Sequence, residues 1–149
     1  MLLKEACTAG VVCCGAQTTV LQAASLMRHK HVGDLVVVDD PQDERIPLGI
    51  VTDRDIVVEV LGNELDPAKI TVGSLMRKPV VIAHESEDTT EVLQRMRTNG
   101  VRRLPVVAHN GEVVGIITLN DLLRLFVTDV GAVLDTMNKG QINEQHARR

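Results

Sequence analysis

Apolar positions along the chain follow two rhythms. Val20, Ala23, Ala24 and Met27 stand three or four residues apart or side by side, as do Val92, Leu93 and Met96, which is the spacing of one helix face. Short runs rich in valine, isoleucine and leucine, at 11–14, 35–38 and 48–51 and again at 80–83, 104–107 and 113–117, are predicted strands. Thr18, Thr19 and Asp88 stand where N-caps are needed. Gly100 supplies a C-terminal stop for the second helix, and His31 holds the matching place after the first. Asp40-Pro41 and Asn110-Gly111 mark turns, the second a tight-hairpin signal. Each third strand leads into a further helix, predicted over 56–61 and 122–127. The grammar β-α-β-β-α is thus written twice.

The identity of the residues repeats as well as their pattern. At an offset of 69, Val11, Val12, Met27, Arg28, Val32, Leu35, Val37 and Val38 meet the same residue types. Three extra residues then fall within 39–48, and at an offset of 66 Gly49, Ile50, Thr52 and Asp55 meet Gly115, Ile116, Thr118 and Asp121. This divides the chain into a first copy over 3–62, a linker over 63–71 containing Pro67, a second copy over 72–129, and a helical extension or tail over 130–149 that frays at its end. A unit of this size hides too little apolar surface to be robust alone. Two copies packed sheet to sheet around a pseudo-twofold axis would share a core and create two related clefts.

Composition narrows the function classes. Sixteen basic against twenty acidic residues give a net charge of −4, a poor balance for nucleic acid or an anionic membrane. Phe126 is the one aromatic residue, which removes stacking platforms for bases and leaves aliphatic side chains to build the core. No apolar run approaches a membrane span, and no basic start precedes an apolar run, so neither a membrane segment nor a secretory signal is expected. Cys7, Cys13 and Cys14 are odd in number and lack C-x-x-C spacing, which fits reduced thiols used as small apolar residues in the cytoplasm. Two sharper alternatives are a metal site from Cys7, Cys13, His29 and His31, whose spacing matches no zinc pattern, and a redox sensor built on Cys13 or Cys14. No P-loop, G-x-S-x-G, H-E-x-x-H or dinucleotide fingerprint occurs, and the histidines are scattered, so no enzyme is expected.

One pattern carries chemistry in both copies. Thr52-x-x-Asp55 and Thr118-x-x-Asp121 have capping-box spacing at a helix start. The same geometry offers free N–H groups and a positive dipole end to a phosphate, with an Asp carboxylate able to accept from ribose hydroxyls. Capping and ligand contact are compatible roles, and both stay open here.

The sequences GIVTDRD at 49–55 and GIITLND at 115–121, each preceded by a hydrophobic strand (HVGDLVVVD at 31–39, GVRRLPVV at 100–107), together with SLMRKPVV at 74–81, resemble a tandem pair of CBS domains, a Bateman module. The resemblance implies an α/β (α+β) fold of two β-α-β-β-α CBS repeats with pseudo-twofold symmetry. It further implies a regulatory, non-catalytic module with no obligatory cofactor, binding AMP, ADP, ATP or S-adenosylmethionine. It places adenine near Val12 and Val36 in the first copy and near Val81, Leu104 and Pro105 in the second. Arg102 and Arg103 stand where many members carry a phosphate-facing base. The first copy has Gly33-Asp34 there, with Arg54 as partial compensation. The expectation is therefore a stronger phosphate-bearing site built from Thr118, Asp121, Leu104, Pro105, Arg102 and Arg103. Members commonly dimerise, and a homodimer is expected through Val57, Val60 and Leu61 with Leu122, Leu125 and Phe126. With no effector domain recognised in the sequence, the signal would pass to a separate effector protein. A ligand-free interaction module is the alternative.

Overall fold

The computed structural model describes residues 1–148. Each half of the chain folds around a three-stranded sheet. In the first half the order is α1 (Leu3–Ala6), β1 (Cys13–Gly15), α2 (Val20–Lys30), β2 (Asp34–Val38), β3 (Pro47–Thr52) and α3 (Asp53–Asp55), which continues as a π-helical segment, Ile56–Leu61. In the second it is α4 (Val72–Leu75), β4 (Ala83–His84), α5 (Thr89–Asn99), β5 (Arg103–Val107), β6 (Val113–Thr118) and α6 (Leu119–Ala147). The middle strand of each sheet pairs in parallel with the strand before it and antiparallel with the one after it. Both antiparallel ladders shift register at equivalent places, Val37/Val38 and Val106/Val107.

Alternation along the middle strands explains why every residue after the first is buried. Leu35 and Val37 face α2 and the π-helical segment, whereas Val36 and Val38 pack against Val107, Val113 and Ile116 of the other sheet. Leu104 and Val106 likewise face α5 and α6. The sheets therefore lie face to face with helices outside, and a buried strand needs apolar residues on both faces.

The opening helices are exchanged between the halves. Leu3, fully buried, belongs to the core of Val92, Met96, Leu104 and Leu122, and Val72 belongs to that of Val20, Leu35 and Val51. Their backbone ties match bond for bond. Leu3 N–H donates to Glu87 O (2.9 Å) and Lys4 N–H to Glu85 O (3.1 Å), while Val72 N–H donates to Thr18 O (2.8 Å) and Gly73 N–H to Ala16 O (2.9 Å). The motif glycines admit this exchange. A Cβ on Gly49 would lie 2.9 Å from Met76 Sδ, and one on Gly115 would lie 2.8 Å from Cys7 Sγ. Glycine is needed wherever another segment crosses the strand this closely.

Several boundaries differ from the sequence expectation. The first strands begin later than 11 and 80, because the preceding residues run past the sheet edge without continuous pairing. The final helix runs unbroken to Ala147, with Thr128 and Thr136 hydroxyls donating to the carbonyls of Arg124 and Ala132 on its surface (2.9 and 2.8 Å). Val60 and Leu122, expected on the dimer face, are fully buried in the repeat cores, and Leu125 is half-buried. Val57, Leu61 and Phe126, also expected on that face, are exposed, and within the two repeats Val58, Leu119, Leu123 and Val127 are exposed beside them. Among the described residues, no helix is long and apolar enough to cross a membrane.

Candidate functional site

Both T-x-x-D motifs sit where the third strand of a sheet ends and a helix begins, and both capping boxes are closed. Asp55 N–H donates to Thr52 Oγ1 (3.1 Å) and Thr52 N–H to Asp55 Oδ2 (3.0 Å); at Thr118 and Asp121 the distances are 3.1 and 2.9 Å. Each box engages one carboxylate oxygen, Oδ2, so Oδ1 stays open to further donors. The residue after each Thr is tied across the sheet, Asp53 N–H to Gly33 O (2.9 Å) and Leu119 N–H to Arg102 O (2.8 Å). The motifs are thus fixed by backbone hydrogen bonds as well as by their capping boxes.

A cavity of about 570 Å³ opens beside the first motif. That is the size of a small-molecule site. One wall carries Ile50, Thr52, Asp53, Arg54 and Asp55 from the first repeat; the other carries Arg77, Pro79, Val80 and Val81, then Gly100, Val101, Arg102 and Arg103, from the second. Four arginines face two aspartates in a chain whose net charge is −4. Arg103 forms an ion pair with Asp34. Among the described residues, Arg54, Arg77 and Arg102 have no carboxylate within ion-pair distance. The apolar part of the lining is aliphatic, from Ile50, Val80, Val81 and Val101.

This arrangement regroups the candidates named from sequence. Arg102 and Arg103 share their cavity with Thr52, Asp55 and Arg54, not with Asp121. The reason is the pseudo-twofold packing, which sets the motif of one repeat against the lead-in segments of the other. The same exchange carries Thr118 and Asp121 toward the stretch before β1, where Thr8 bridges Ile116 and the Cys7 thiol feels the charge of Asp121. Asp34, the acid that stands in the first copy where a phosphate-facing base was expected, is neutralised by its pair with Arg103. It and Arg103 occupy equivalent positions, 69 apart, and pair across the axis. Val81 lines the cavity. Val36 is buried between the sheets, Leu104 in the helix-side core and Pro105 within β5, so none of the three borders it; Val12 packs on the first core. Arg77, Pro79, Val80, Val101 and Ile50 were not singled out from the sequence. Arg77 lies inside the SLMRKPVV stretch, but only the chain exchange shows which motif it faces.

The cysteines are not poised for chemistry. Burial raises all three thiols, and Cys14 is pushed up to about 11. Arg45 donates to Cys13 Sγ (3.3 Å), yet desolvation outweighs its charge. Thiols held protonated at neutral pH are weak nucleophiles. No three His, Cys, Asp or Glu side chains come together as a metal-holding group among the described residues.

Comparison with known proteins agrees with the repeat. The CBS domain family matches residues 3–62 and 72–128. The chain belongs to the CBS-domain family. It is 33% identical over 123 residues to an uncharacterized protein of Methanopyrus kandleri, covering 83% of this chain and 61% of that protein. It is 36% identical over 121 residues to Hypoxic response protein 1 of Mycobacterium tuberculosis, covering 81% and 82%. The crystal structure of Hypoxic Response Protein I with two coordinated zinc ions superimposes with a TM-score of 0.71 at 35% identity, over 83% of this chain and 98% of that one. A CBS domain pair in complex with 5′-methylthioadenosine and S-adenosyl-L-methionine gives 0.73 at 27% identity, over 87% and 98%. These CBS pairs share the two three-stranded sheets seen here.

Proposed function

We propose that this CBS pair is a non-catalytic sensor of an adenine nucleotide, bound in the cleft between the first motif and the second repeat. The observation that carries the reading is the pairing, in one cavity, of an Asp55 carboxylate with a free oxygen and three arginines without carboxylate partners. Asp55 suits ribose hydroxyls, the aliphatic wall suits a purine, and Arg54, Arg77 and Arg102 suit phosphate. The complex of a related pair with adenosine-containing ligands supports the nucleoside part. The surplus of positive charge favours AMP, ADP or ATP over the cationic sulfonium of S-adenosylmethionine. The module would report occupancy to a separate effector in the cytoplasm, as a homodimer through the exposed faces around Val57, Leu61, Leu123 and Phe126.

Titration calorimetry tests this directly. A charge-assisted hydrogen bond is worth roughly 1.5–3 kcal/mol, so Arg102→Ala should weaken AMP about ten- to a hundredfold while leaving adenosine nearly unchanged. Asp55→Ala should weaken both, and Asp121→Ala neither at this cleft. Having no Trp or Tyr, the protein barely absorbs at 280 nm, so a 260 nm peak in a clean preparation reports bound nucleotide. If adenosine, AMP, ADP, ATP and S-adenosylmethionine all leave the melting temperature unmoved at millimolar concentration, the second reading stands instead: a ligand-free interaction module. What favours that reading is that a closed capping box at a helix start accounts for both T-x-x-D pairs by itself.

A further inference from the structure

The second repeat's last helix does not stop where its counterpart does. The first repeat's helix ends at Leu61, whereas α6 runs on to Ala147, past residue 128 where the CBS match ends. Beyond Leu125 every side chain of α6 is exposed. Along this arm Leu123, Phe126, Val130, Val133 and Met137 follow at alternating intervals of four and three, the period of a helix that pairs with another helix. Val127 and Leu134 widen the same stripe. Val127, Val130, Val133 and Met137 are each 59–64% exposed. The charged residues of the stretch, Arg124, Asp129, Asp135 and Lys139, all fall outside it at helical spacing.

Three observations say what covers this stripe. At roughly 80 Å² for each side chain it exposes on the order of 600 Å² of apolar surface, above the few hundred that a monomer usually shows. Two copies together hide about 1,200 Å², the lower bound of a stable specific interface. The flanks carry two acids and two bases, so second copies meet along the arm without net repulsion despite an overall charge of −4. The arm is also a poor autonomous helix, with Gly131, Gly140, Thr128, Thr136 and Asn138 in it. A helix of this length without tertiary contact is marginal in water, so its helicity depends on the stripe being covered.

We propose that the α6 arm pairs with the α6 arm of a second copy of this chain, the stripe from Leu123 to Met137 forming the seam. The pairing is independent of what the cleft binds; it continues the Leu123 and Phe126 face of the proposed homodimer past the repeats, and does not need Val57 or Leu61. The test compares the full chain with Val130→Asp/Val133→Asp and with Val57→Asp/Leu61→Asp, by light scattering and far-UV circular dichroism across a dilution series. The full chain should run at about twice 16.2 kDa or more. The arm variant should associate at least tenfold more weakly and lose helix signal, while melting of the two repeats is unchanged because these side chains touch nothing in them. The Val57/Leu61 variant should keep the helix signal of the arm. A full chain that is monomeric at 50 µM (roughly the concentration at which micromolar pairing saturates) overturns the proposal. So does an arm variant that associates as tightly as the parent, or one that keeps its arm helical when monomeric.

Discussion

At the residue scale, two equivalent positions solve one backbone problem at different cost. His31 and Gly100 end α2 and α5 in the left-handed conformation, at φ 54° and 63°. Glycine adopts it freely; histidine, with a Cβ, carries strain of roughly 1–2 kcal/mol. His31 is exposed and its side chain has no hydrogen bond among the described residues, so little offsets that strain. His31→Gly should therefore stabilise the protein by about 1 kcal/mol in urea denaturation, and the reverse change, Gly100→His, should destabilise it similarly. A His31→Gly variant no more stable than the parent would show that the strain is relieved elsewhere. The position of both stops was legible in the sequence from the repeat alone. The clefts were less legible. Strand alternation separates Arg103, at the cavity, from Leu104, in the core, yet the chain pattern does not say which repeat's motif Arg103 faces.

At the scale of elements, the repeat predicts two alike helix starts and the fold breaks the likeness. Arg95 on α5 clamps the turn after β4, with Nη1 and Nη2 donating to Glu87 (2.6 and 2.7 Å) and Nη1 also to Ile82 O (2.9 Å). The equivalent residues in the first copy are Leu26 and Thr18, so no such clamp exists there. Hydrogen bonds from Arg95 hold the Glu87 carboxyl below its ordinary value of 4.5. A carboxyl lowered in the folded state adds stability above its unfolded value, and that stability is lost as the pH falls through the folded one. Glu87→Gln should thus lower the urea midpoint at pH 7 and flatten its fall between pH 5 and pH 3. Parallel acid limbs for variant and parent would place the acid sensitivity elsewhere. A helical extension past the second repeat was expected from the sequence, but how far α6 runs before fraying was not legible. Gly131 and a polar tail point to an early end, whereas the apolar stripe, at helical spacing, is what continues the helix.

At the scale of the whole molecule, the exchange of opening helices means that neither half owns its core. Leu3 and Val72 are equivalent residues, 69 apart, each fully buried and each inserted into the opposite repeat. The boundaries at 62 and 72 describe sequence similarity, not independent folding, because residues 1–6 complete the second sheet's helix layer and residues 70–76 complete the first's. This was not readable from pattern, since an apolar residue at position 3 fits either core. It has a reciprocal consequence. Truncating a buried leucine costs about 2–5 kcal/mol, and a valine less in proportion to its volume. Leu3→Ala should accelerate amide exchange in β5, β6 and the first turns of α6, where its contacts lie, although it sits at the opposite end of the sequence. Val72→Ala should do the same in α2, β2 and β3. Both variants should still unfold in one transition, because the valines and isoleucines between the sheets couple the halves. Faster exchange around β1–β3 in Leu3→Ala, with β5 and β6 protected as in the parent, would show that each repeat keeps its own opening helix.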